Sequence, residues 1–235
     1  MPTTHRIPVT DDQSVVAVHH EAPGDDWLVF CHGFVSDKSG SYEGRCERAV
    51  TEGYNAVRFD FRGCGEADGD FVDQTLSDKL ADLQAVVDHF DPDSYALFGS
   101  SFGGKVAFHT AATDERVTAV ATRAPVTLNR GLDHFRDPVA DAGVLELDTG
   151  DRIDERFFDD FDDYPFDAVV GNISVPIAIF HGANDDSVAL ADSFDAAAGL
   201  QTDVLLQTFA AEGHRFSRPA ERRLRQQLFD WLALG

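Results

Sequence analysis

Short apolar runs, rich in β-branched and aromatic residues, recur along the chain with longer amphipathic stretches between them. Each run has the length and composition of a buried β-strand. The six clearest predicted strands are Trp27–Cys31, Asn55–Phe59, Tyr95–Phe98, Val117–Ala121, Ile177–Phe180 and Val204–Phe209. Near-continuous apolar strands that alternate with helices are typical of a mostly parallel sheet covered on both faces.

The two ends of the chain extend this pattern. Two weaker runs, Arg6–Val9 and Val15–His19, come first with no helix between them and predict an antiparallel start. Apolar residues at helical spacing from Leu224 to Leu232 predict a last helix, with Ser217 as its N-cap. We therefore expect an α/β fold with a mostly parallel sheet of about eight strands.

One stretch breaks the alternation of strands and helices. From about Val126 to Asn172 no apolar run predicts a strand. A connection this long inside a compact domain usually carries its own helices or a function. We interpret residues 126–172 as a short cap inserted in a single domain that spans residues 1–235. Its aromatic residues predict either contact with an apolar substrate or, more simply, a lid packed on the core; they are Phe157, Phe158, Phe161, Tyr164 and Phe166.

The charge balance is strongly acidic. The 235 residues include 42 Asp and Glu against 19 Lys and Arg, a formal net charge of −23, and only three of the basic residues are lysine. Nucleic acid is not an expected partner, because phosphate contacts need clustered basic side chains. An anionic membrane would also repel the chain. The acidic excess and lysine poverty resemble proteins of extreme halophiles, which implies a salt-rich cytoplasm.

The apolar pattern predicts neither a membrane span nor an export signal. No run approaches the ~18–20 apolar residues of a membrane-spanning helix. Acidic and polar residues from Asp11 to Ser14 follow an N-terminus without an apolar leader. We expect a cytoplasmic protein.

The three cysteines do not form a recognisable framework. Cys31, Cys46 and Cys64 are odd in number and lack metal-type spacing, so neither disulfides nor a metal site is expected. Cys31 lies in an apolar run and is expected to be a buried small hydrophobe.

A Gly-x-Ser-x-Gly pattern is the first indication of a catalytic residue. The segment Gly99–Gly103 directly follows the strand Tyr95–Phe98 and opens a helical stretch, the strand–turn–helix context of a nucleophile elbow. The glycines allow a tight turn and close backbone approach, so that Ser101 can project from the helix N-terminus. We predict Ser101 as a nucleophile.

A phosphate-binding loop overlaps this pattern. Gly99, four residues and then Gly104-Lys105 match the start of a P-loop. Val106 follows, however, where such a loop needs Ser or Thr to hold Mg²⁺. We therefore disfavour nucleotide binding.

A serine nucleophile needs a base, and the base needs an orienting acid. His214 lies in a loop between the last strand and the last helix, where it can reach the top of the sheet. Asp185 and Asp186 follow the strand Ile177–Phe180. We predict Asp185 as the orienting acid. Asp186 remains the alternative, and if it is not the acid it could cap the next helix. The order Ser101, Asp185, His214 is the order that the α/β-hydrolase fold requires.

The tetrahedral intermediate of such a reaction needs donors for its oxyanion. The turn His32–Phe34 follows the strand Trp27–Cys31 and can face the nucleophile. We assign the backbone N–H groups of Phe34 and Phe102 as the two donors.

Taken together, these segments resemble the successive signatures of the α/β-hydrolase superfamily. The chain is similar to small feruloyl- and cinnamoyl-esterase-like and serine-aminopeptidase-like hydrolases; the matching segments are Cys31–Phe34, Asp60–Glu66, Gly99–Gly103, His181-Gly182 with Asp185 and Val188, and Gly213-His214. The resemblance implies a Ser-His-Asp mechanism without a cofactor, and a structural role for the Asp60–Gly63 turn. Cys64 departs from the His or Ser common in relatives, and the cap looks reduced and acidic.

The sequence thus predicts a serine hydrolase, carboxylesterase-like (EC 3.1.1), with a small ester-like substrate. Three alternatives stay open: a thioesterase or peptidase on the same triad, a C–C bond hydrolase, and a catalytically silent binding protein on this scaffold. Haloalkane dehalogenase chemistry is disfavoured, because it needs a carboxylate where Ser101 stands.

The acidic composition predicts stabilisation by salt. Because the Debye length falls to ~3 Å at molar salt, repulsion between surface carboxylates should largely disappear. We expect the melting temperature to rise between about 0.1 M and about 3 M KCl. A melting temperature that stays level or falls over this range would exclude a halophilic adaptation.

Overall fold

The computed structural model describes residues 1–234, and its ten strands divide into two sheets. In chain order the strands are β1 (Thr3–Pro8), β2 (Ser14–His20), β3 (Trp27–Cys31), β4 (Asn55–Asp60), β5 (Tyr95–Ser100), β6 (Val117–Arg123), β7 (Val144–Glu146), β8 (Arg152–Asp154), β9 (Ile177–Gly182) and β10 (Val204–Phe209). The main sheet has eight strands in the order β1-β2-β4-β3-β5-β6-β9-β10. Its first three strands pair antiparallel and all others pair parallel.

Helices cover both faces of this sheet. They are α1 (Ser41–Thr51), α2 (Leu76–Phe90), α3 (Phe102–Ala111), α4 (Arg136–Ala142), α5 (Glu155–Asp162), α6 (Leu190–Gly199) and α7 (Arg218–Leu232). One core joins the sheet to α1 and α7, and a second core joins the opposite face to α2, α3, α5 and α6. Among residues 1–234 no helix combines the length and the apolar character needed to cross a bilayer.

The predicted fold class is confirmed. The six clear strands form; β3 and β10 have the predicted bounds, and the other four extend one or two residues further. The antiparallel start is confirmed as well, although β1 begins three residues earlier than expected. Cys31 is fully buried, as its apolar surroundings indicate.

The N-cap of the last helix is also where the sequence predicts it. The Ser217 hydroxyl accepts a hydrogen bond from the Ala220 N–H, which satisfies one of the free donors of the first turn. Leu224 and Leu228 on this helix are completely buried against the sheet. The cap and the apolar stripe together place the residues that precede α7 over the end of the sheet.

The insertion between residues 126 and 172 contains structure that the sequence analysis did not predict. Strands β7 and β8 pair antiparallel across a turn closed by the Leu147 N–H to Asp151 carbonyl bond. The apolar pattern therefore missed two strands in this segment. These strands have three residues each and are largely exposed, so they lack the apolar run from which strands are recognised.

The aromatic residues of the insertion pack on the core. Phe157, Phe158, Phe161 and Phe166 are all buried, and Phe161 stacks on Phe102 with ring centroids 5.8 Å apart. This agrees with the simpler of the two expectations, an amphipathic segment packed on the domain.

Lys105 ties the insertion to α3. Its Nζ donates to Asn129 Oδ1 at 2.8 Å and to the Tyr164 carbonyl at 2.5 Å, and it lies 4.7 Å from the ring centroid of Phe161. The lysine that resembles a P-loop lysine therefore points into the protein's own insertion. Burial lowers the pKa of Lys105 to about 7.

This lowered pKa predicts a pH-dependent stability. Between pH 7 and the ordinary pKa near 10.5, the unfolded chain binds a proton at Lys105 that the folded chain does not hold. The free energy of unfolding should therefore rise with pH above 7, by about 1 kcal/mol per pH unit from this group. Urea unfolding of wild type and Lys105→Met at several pH values would show a smaller slope in the variant. Equal slopes would mean that the Lys105 ammonium is not destabilised by burial.

Candidate active site

Ser101 lies in a strained turn between β5 and α3. Its φ of 52° and ψ of −118° fall in a region that non-glycine residues rarely adopt. Three hydrogen bonds hold it there. The Ser101 N–H donates to the Arg123 carbonyl at 2.9 Å, and the Ser101 carbonyl accepts from the N–H groups of Gly104 and Val126 at 2.9 and 3.0 Å. The side chain consequently stands at the end of the sheet, at the N-terminus of α3.

The flanking glycines are required by close backbone contacts. A Cβ on Gly99 would lie 2.3 Å from the Gly103 carbonyl oxygen, and a Cβ on Gly103 would lie 2.4 Å from the carbonyl oxygens of Cys31 and His32. A side chain at position 99 would push the first turn of α3 away from β5, and one at position 103 would push α3 away from the end of β3. The Gly-x-Ser-x-Gly pattern therefore has the local geometry that its spacing predicts.

Asp185 follows β9 and has its carboxylate fully buried among donors. Oδ1 accepts from the N–H groups of Ser187 and Val188, both at 2.9 Å. Oδ2 lies 2.8 Å from Nδ1 of His214 and 3.2 Å from Nε2 of His181. Burial favours a higher pKa, but hydrogen bonds from His181, His214 and Val188 outweigh it and hold the pKa of Asp185 well below its usual range. The carboxylate is thus ionised and oriented toward His214.

Asp186 occupies a different environment. It is exposed, and its side chain accepts only from the Ser187 hydroxyl, at 3.3 Å. It does not cap α6, whose N-cap is Ala189, so the capping role considered for it is wrong. Of the two adjacent aspartates, the structure brings Asp185 to the histidine.

Two loops are fastened together to make this contact. The Asn184 N–H donates to the Glu212 carbonyl at 2.9 Å, and the Glu212 carboxylate accepts from the N–H and hydroxyl of Ser217 at 2.6 and 2.8 Å. A Cβ on Gly182 would lie 2.4 Å from the Gly213 carbonyl oxygen, so the loops approach as closely as glycine allows. His214 is held between these contacts.

Ser101 and His214 line one pocket of about 820 Å³. His214 directs Nδ1 to Asp185, which leaves Nε2 as the ring nitrogen available to a serine. No hydrogen bond joins Ser101 Oγ to this ring among the described residues; such contacts often tighten only when substrate binds. Residues 1–234 contain no cluster of three or more His, Cys, Asp or Glu side chains placed to hold a metal ion.

The turn after β3 lies against the serine. A Cβ on Gly33 would be 3.3 Å from Ser101 Cβ. Buried His32 supports this turn: its Nδ1 bonds the Gly33 carbonyl at 2.9 Å, and its Nε2 accepts from the Phe61 N–H at 3.1 Å. Burial lowers the pKa of His32 to about 4, which keeps the ring neutral as Nε2 requires. The backbone of Phe34 is thereby held beside Ser101.

The backbone N–H groups of Phe34 and Phe102 have no protein acceptor among residues 1–234. Phe102 begins α3, where the first N–H groups have no partner within the helix. Both groups are therefore available to an oxygen bound beside Ser101.

Two supporting contacts were not predicted from the sequence. His181 is buried at the end of β9, where its Nε2 lies 3.0 Å from the Val188 carbonyl oxygen and 3.2 Å from Asp185 Oδ2. Arg45 on α1 pairs with Glu221 on α7 at 2.7 Å and reaches the Ser100 hydroxyl at 3.3 Å. A histidine directly before Gly182 was the available signal for the first contact. The second joins residues 176 positions apart, which no local pattern reveals.

The comparisons with known proteins agree with this architecture. A model of the prolyl oligopeptidase family (peptidase family S9) matches residues 42–233. The quorum-quenching protein AidA of Acinetobacter baumannii is 29% identical over 135 residues, which cover 54% of this chain and only 44% of that protein. The mitochondrial palmitoyl-protein thioesterase ABHD10 of Pongo abelii is 27% identical over 225 residues, which cover 87% of this chain and 71% of that protein.

A solved structure gives the same result for the fold. Est1E from Butyrivibrio proteoclasticus, with ferulic acid bound, superposes with a TM-score of 0.87 at 17% identity, over 97% of this chain and 98% of that one. The expected resemblance to α/β hydrolases is confirmed. Since the family model spans most of the chain and the sheet has the matching topology, the chain belongs to the prolyl oligopeptidase family of the α/β-hydrolase superfamily.

Proposed function

We propose that this protein is a serine hydrolase that cleaves carboxylic esters through an acyl-enzyme. One observation carries the proposal: Asp185 Oδ2 lies 2.8 Å from His214 Nδ1, and His214 lines the same pocket as Ser101. The three side chains come from loops after β9, β10 and β5, where parallel sheets of this type place their active sites.

In the first half of the reaction, Ser101 Oγ attacks the ester carbonyl while His214 Nε2 takes the serine proton. Asp185 fixes the tautomer of His214 and stabilises the imidazolium that forms. The N–H groups of Phe34 and Phe102 bind the oxyanion. His214 then returns the proton to the departing alkoxide, which leaves as the alcohol.

In the second half, a water molecule replaces the alcohol. His214 takes a proton from this water as its oxygen attacks the acyl carbonyl. The resulting intermediate then collapses with breakage of the bond between the acyl carbon and Ser101 Oγ, and His214 returns the proton to Oγ, which releases the carboxylic acid and restores Ser101. All groups required for these steps are supplied by the chain itself, so the proposal includes no cofactor.

A thioester is the second candidate bond. The thioesterase relative matches over 87% of this chain, which supports this choice beside the ester. The chemistry differs only in the leaving group, a thiolate instead of an alkoxide. Peptide cleavage is the third candidate, supported by the family name alone.

Replacement of the nucleophile tests the mechanism directly. We expect wild type to hydrolyse a chain-length series of p-nitrophenyl esters, and Ser101→Ala to lose about 10³-fold or more in kcat. Assays at about 3 M KCl would keep the acidic chain folded. A fluorophosphonate probe should label wild type at Ser101 and leave the variant unlabelled. Folded wild type that neither turns over esters nor takes the label would favour a silent binding protein.

The two adjacent aspartates provide a matched pair of variants. Asp185→Asn should lower kcat by about 10²- to 10⁴-fold, because the amide cannot stabilise the imidazolium or hold the required tautomer. Asp186→Asn should leave kcat within about threefold of wild type, since the side chain is exposed and makes no contact with His214. Circular dichroism and urea unfolding would establish that both variants are folded. Equal losses in the two variants, or a larger loss in Asp186→Asn, would contradict the assignment of Asp185.

A further inference from the structure

The pocket beside Ser101 concentrates positive charge in an acidic protein. Five arginines line it: Arg123, Arg215, Arg218, Arg222 and Arg225. Only two carboxylates, Asp37 and Glu221, join them. The chain as a whole has more than twice as many acidic as basic residues, whereas basic residues outnumber acidic ones in this pocket.

These arginines reach the pocket from three directions. Arg123 ends β6, where it pairs in register with Ser100, the residue before the nucleophile. Arg215 follows His214 directly. The remaining three, at positions 218, 222 and 225, recur at helical spacing on α7 and so share one face of that helix. Separate elements thus converge on one space.

The arginines of the pocket are not neutralised within residues 1–234. Eight of the other arginines form salt bridges, but none of these five does. The two acidic residues of the pocket are already engaged. Glu221 accepts two bonds from Arg45, at 2.7 and 2.9 Å, and Asp37 accepts from the Ser39 N–H at 2.7 Å.

Among the five arginines, Arg123 has the strongest requirement for an anionic partner. Its Nε is buried and has no hydrogen-bond partner, and no acceptor is found for the rest of its guanidinium among the described residues. Burial and the neighbouring positive charge of Arg45 lower the pKa of Arg123. Arg123 as a whole is partly buried, and a buried guanidinium nitrogen without an acceptor is costly for a folded protein. A carboxylate or phosphate offers the planar or forked acceptors that a guanidinium binds best.

We propose that the substrate carries an anionic oxygen group, a carboxylate or a phosphate, which Arg123 and the α7 arginines bind while Ser101 attacks the ester. This inference rests on the proposed function and narrows its substrate class. The anion remains intact in the reaction; its role is to hold the ester beside the nucleophile. The competing explanation is that these arginines merely face solvent on an exposed helix.

Pairs of esters that differ in one charge test the proposal. p-Nitrophenyl hydrogen adipate against p-nitrophenyl heptanoate places the carboxylate on the acyl side. p-Acetoxybenzoate against its methyl ester places it on the alcohol side. For at least one pair we expect kcat/KM of wild type to be about 10- to 100-fold higher for the charged ester, the range of a charge-assisted hydrogen bond. A ratio of one or less for both pairs would overturn the proposal.

Variants then locate the effect. Arg123→Gln should lower the ratio of charged to neutral kcat/KM about tenfold or more. Arg152→Gln, which removes an exposed arginine on β8 outside the pocket, should leave the ratio unchanged. All ratios are compared at one fixed ionic strength, because salt screens such contacts. An equal fall of this ratio in both variants would show a general effect of charge and would overturn the assignment of Arg123 to an anion site.

A binding measurement separates this inference from the proposed function. Calorimetric titration of Ser101→Ala with sodium benzoate and with inorganic phosphate should detect binding that disappears in Ser101→Ala/Arg123→Gln. Stronger binding of benzoate would indicate a carboxylate substrate, and stronger binding of phosphate a phosphate-bearing one. Binding that depends on Arg123 in a protein that hydrolyses no ester would retain the anion site and refute the esterase. Hydrolysis of neutral esters with no anion binding would retain the esterase and refute the anion site.

Discussion

The backbone of Ser101 is the constraint around which the rest of the site is arranged. A non-glycine residue at positive φ costs on the order of 1–3 kcal/mol and persists only where its surroundings hold it. Here β6 supplies the Arg123 carbonyl, which accepts a hydrogen bond from the Ser101 N–H. The segment after β6 supplies the Val126 N–H, which donates to the Ser101 carbonyl. Gly99 and Gly103 permit the approach of β3 and α3 that the turn needs. The strain is therefore supported by strands in the interior of the sheet.

Each partner of Ser101 is supported by buried polar contacts in a similar way. His32 joins the turn after β3 to the Phe61 backbone, and His181 joins the end of β9 to Asp185. Both histidines are fully or almost fully buried and hydrogen-bonded at both ring nitrogens. Buried polar groups with satisfied partners fix geometry, because any displacement leaves a donor or acceptor unpaired. Neither histidine lines the pocket beside Ser101, yet both support groups that the proposed mechanism uses.

Charge is distributed in opposite ways over the surface and the pocket. The acidic surface sets the net charge of −23, whereas the five arginines of the pocket beside Ser101 form no salt bridges among residues 1–234. Most other arginines are used in ion pairs that tie elements together, such as Arg45 with Glu221 and Arg62 with Asp82. A protein with so many carboxylates could easily have neutralised the pocket arginines. Their isolation distinguishes this pocket from the rest of the molecule.

The sequence by itself predicted the strands of the main sheet, the sheet class, and Ser101 and His214 of the proposed triad. Apolar runs, cap residues and the Gly-x-Ser-x-Gly turn are local patterns, and local patterns are encoded by neighbours in the chain. The sequence did not determine which of Asp185 and Asp186 meets His214, since that depends on how two loops 29 residues apart are fastened together. It also gave no sign of β7 and β8, which are too short and exposed to leave an apolar run. The pocket arginines became visible only in the tertiary structure, because the register of β6 against β5 and the packing of α7 bring them together from distant positions.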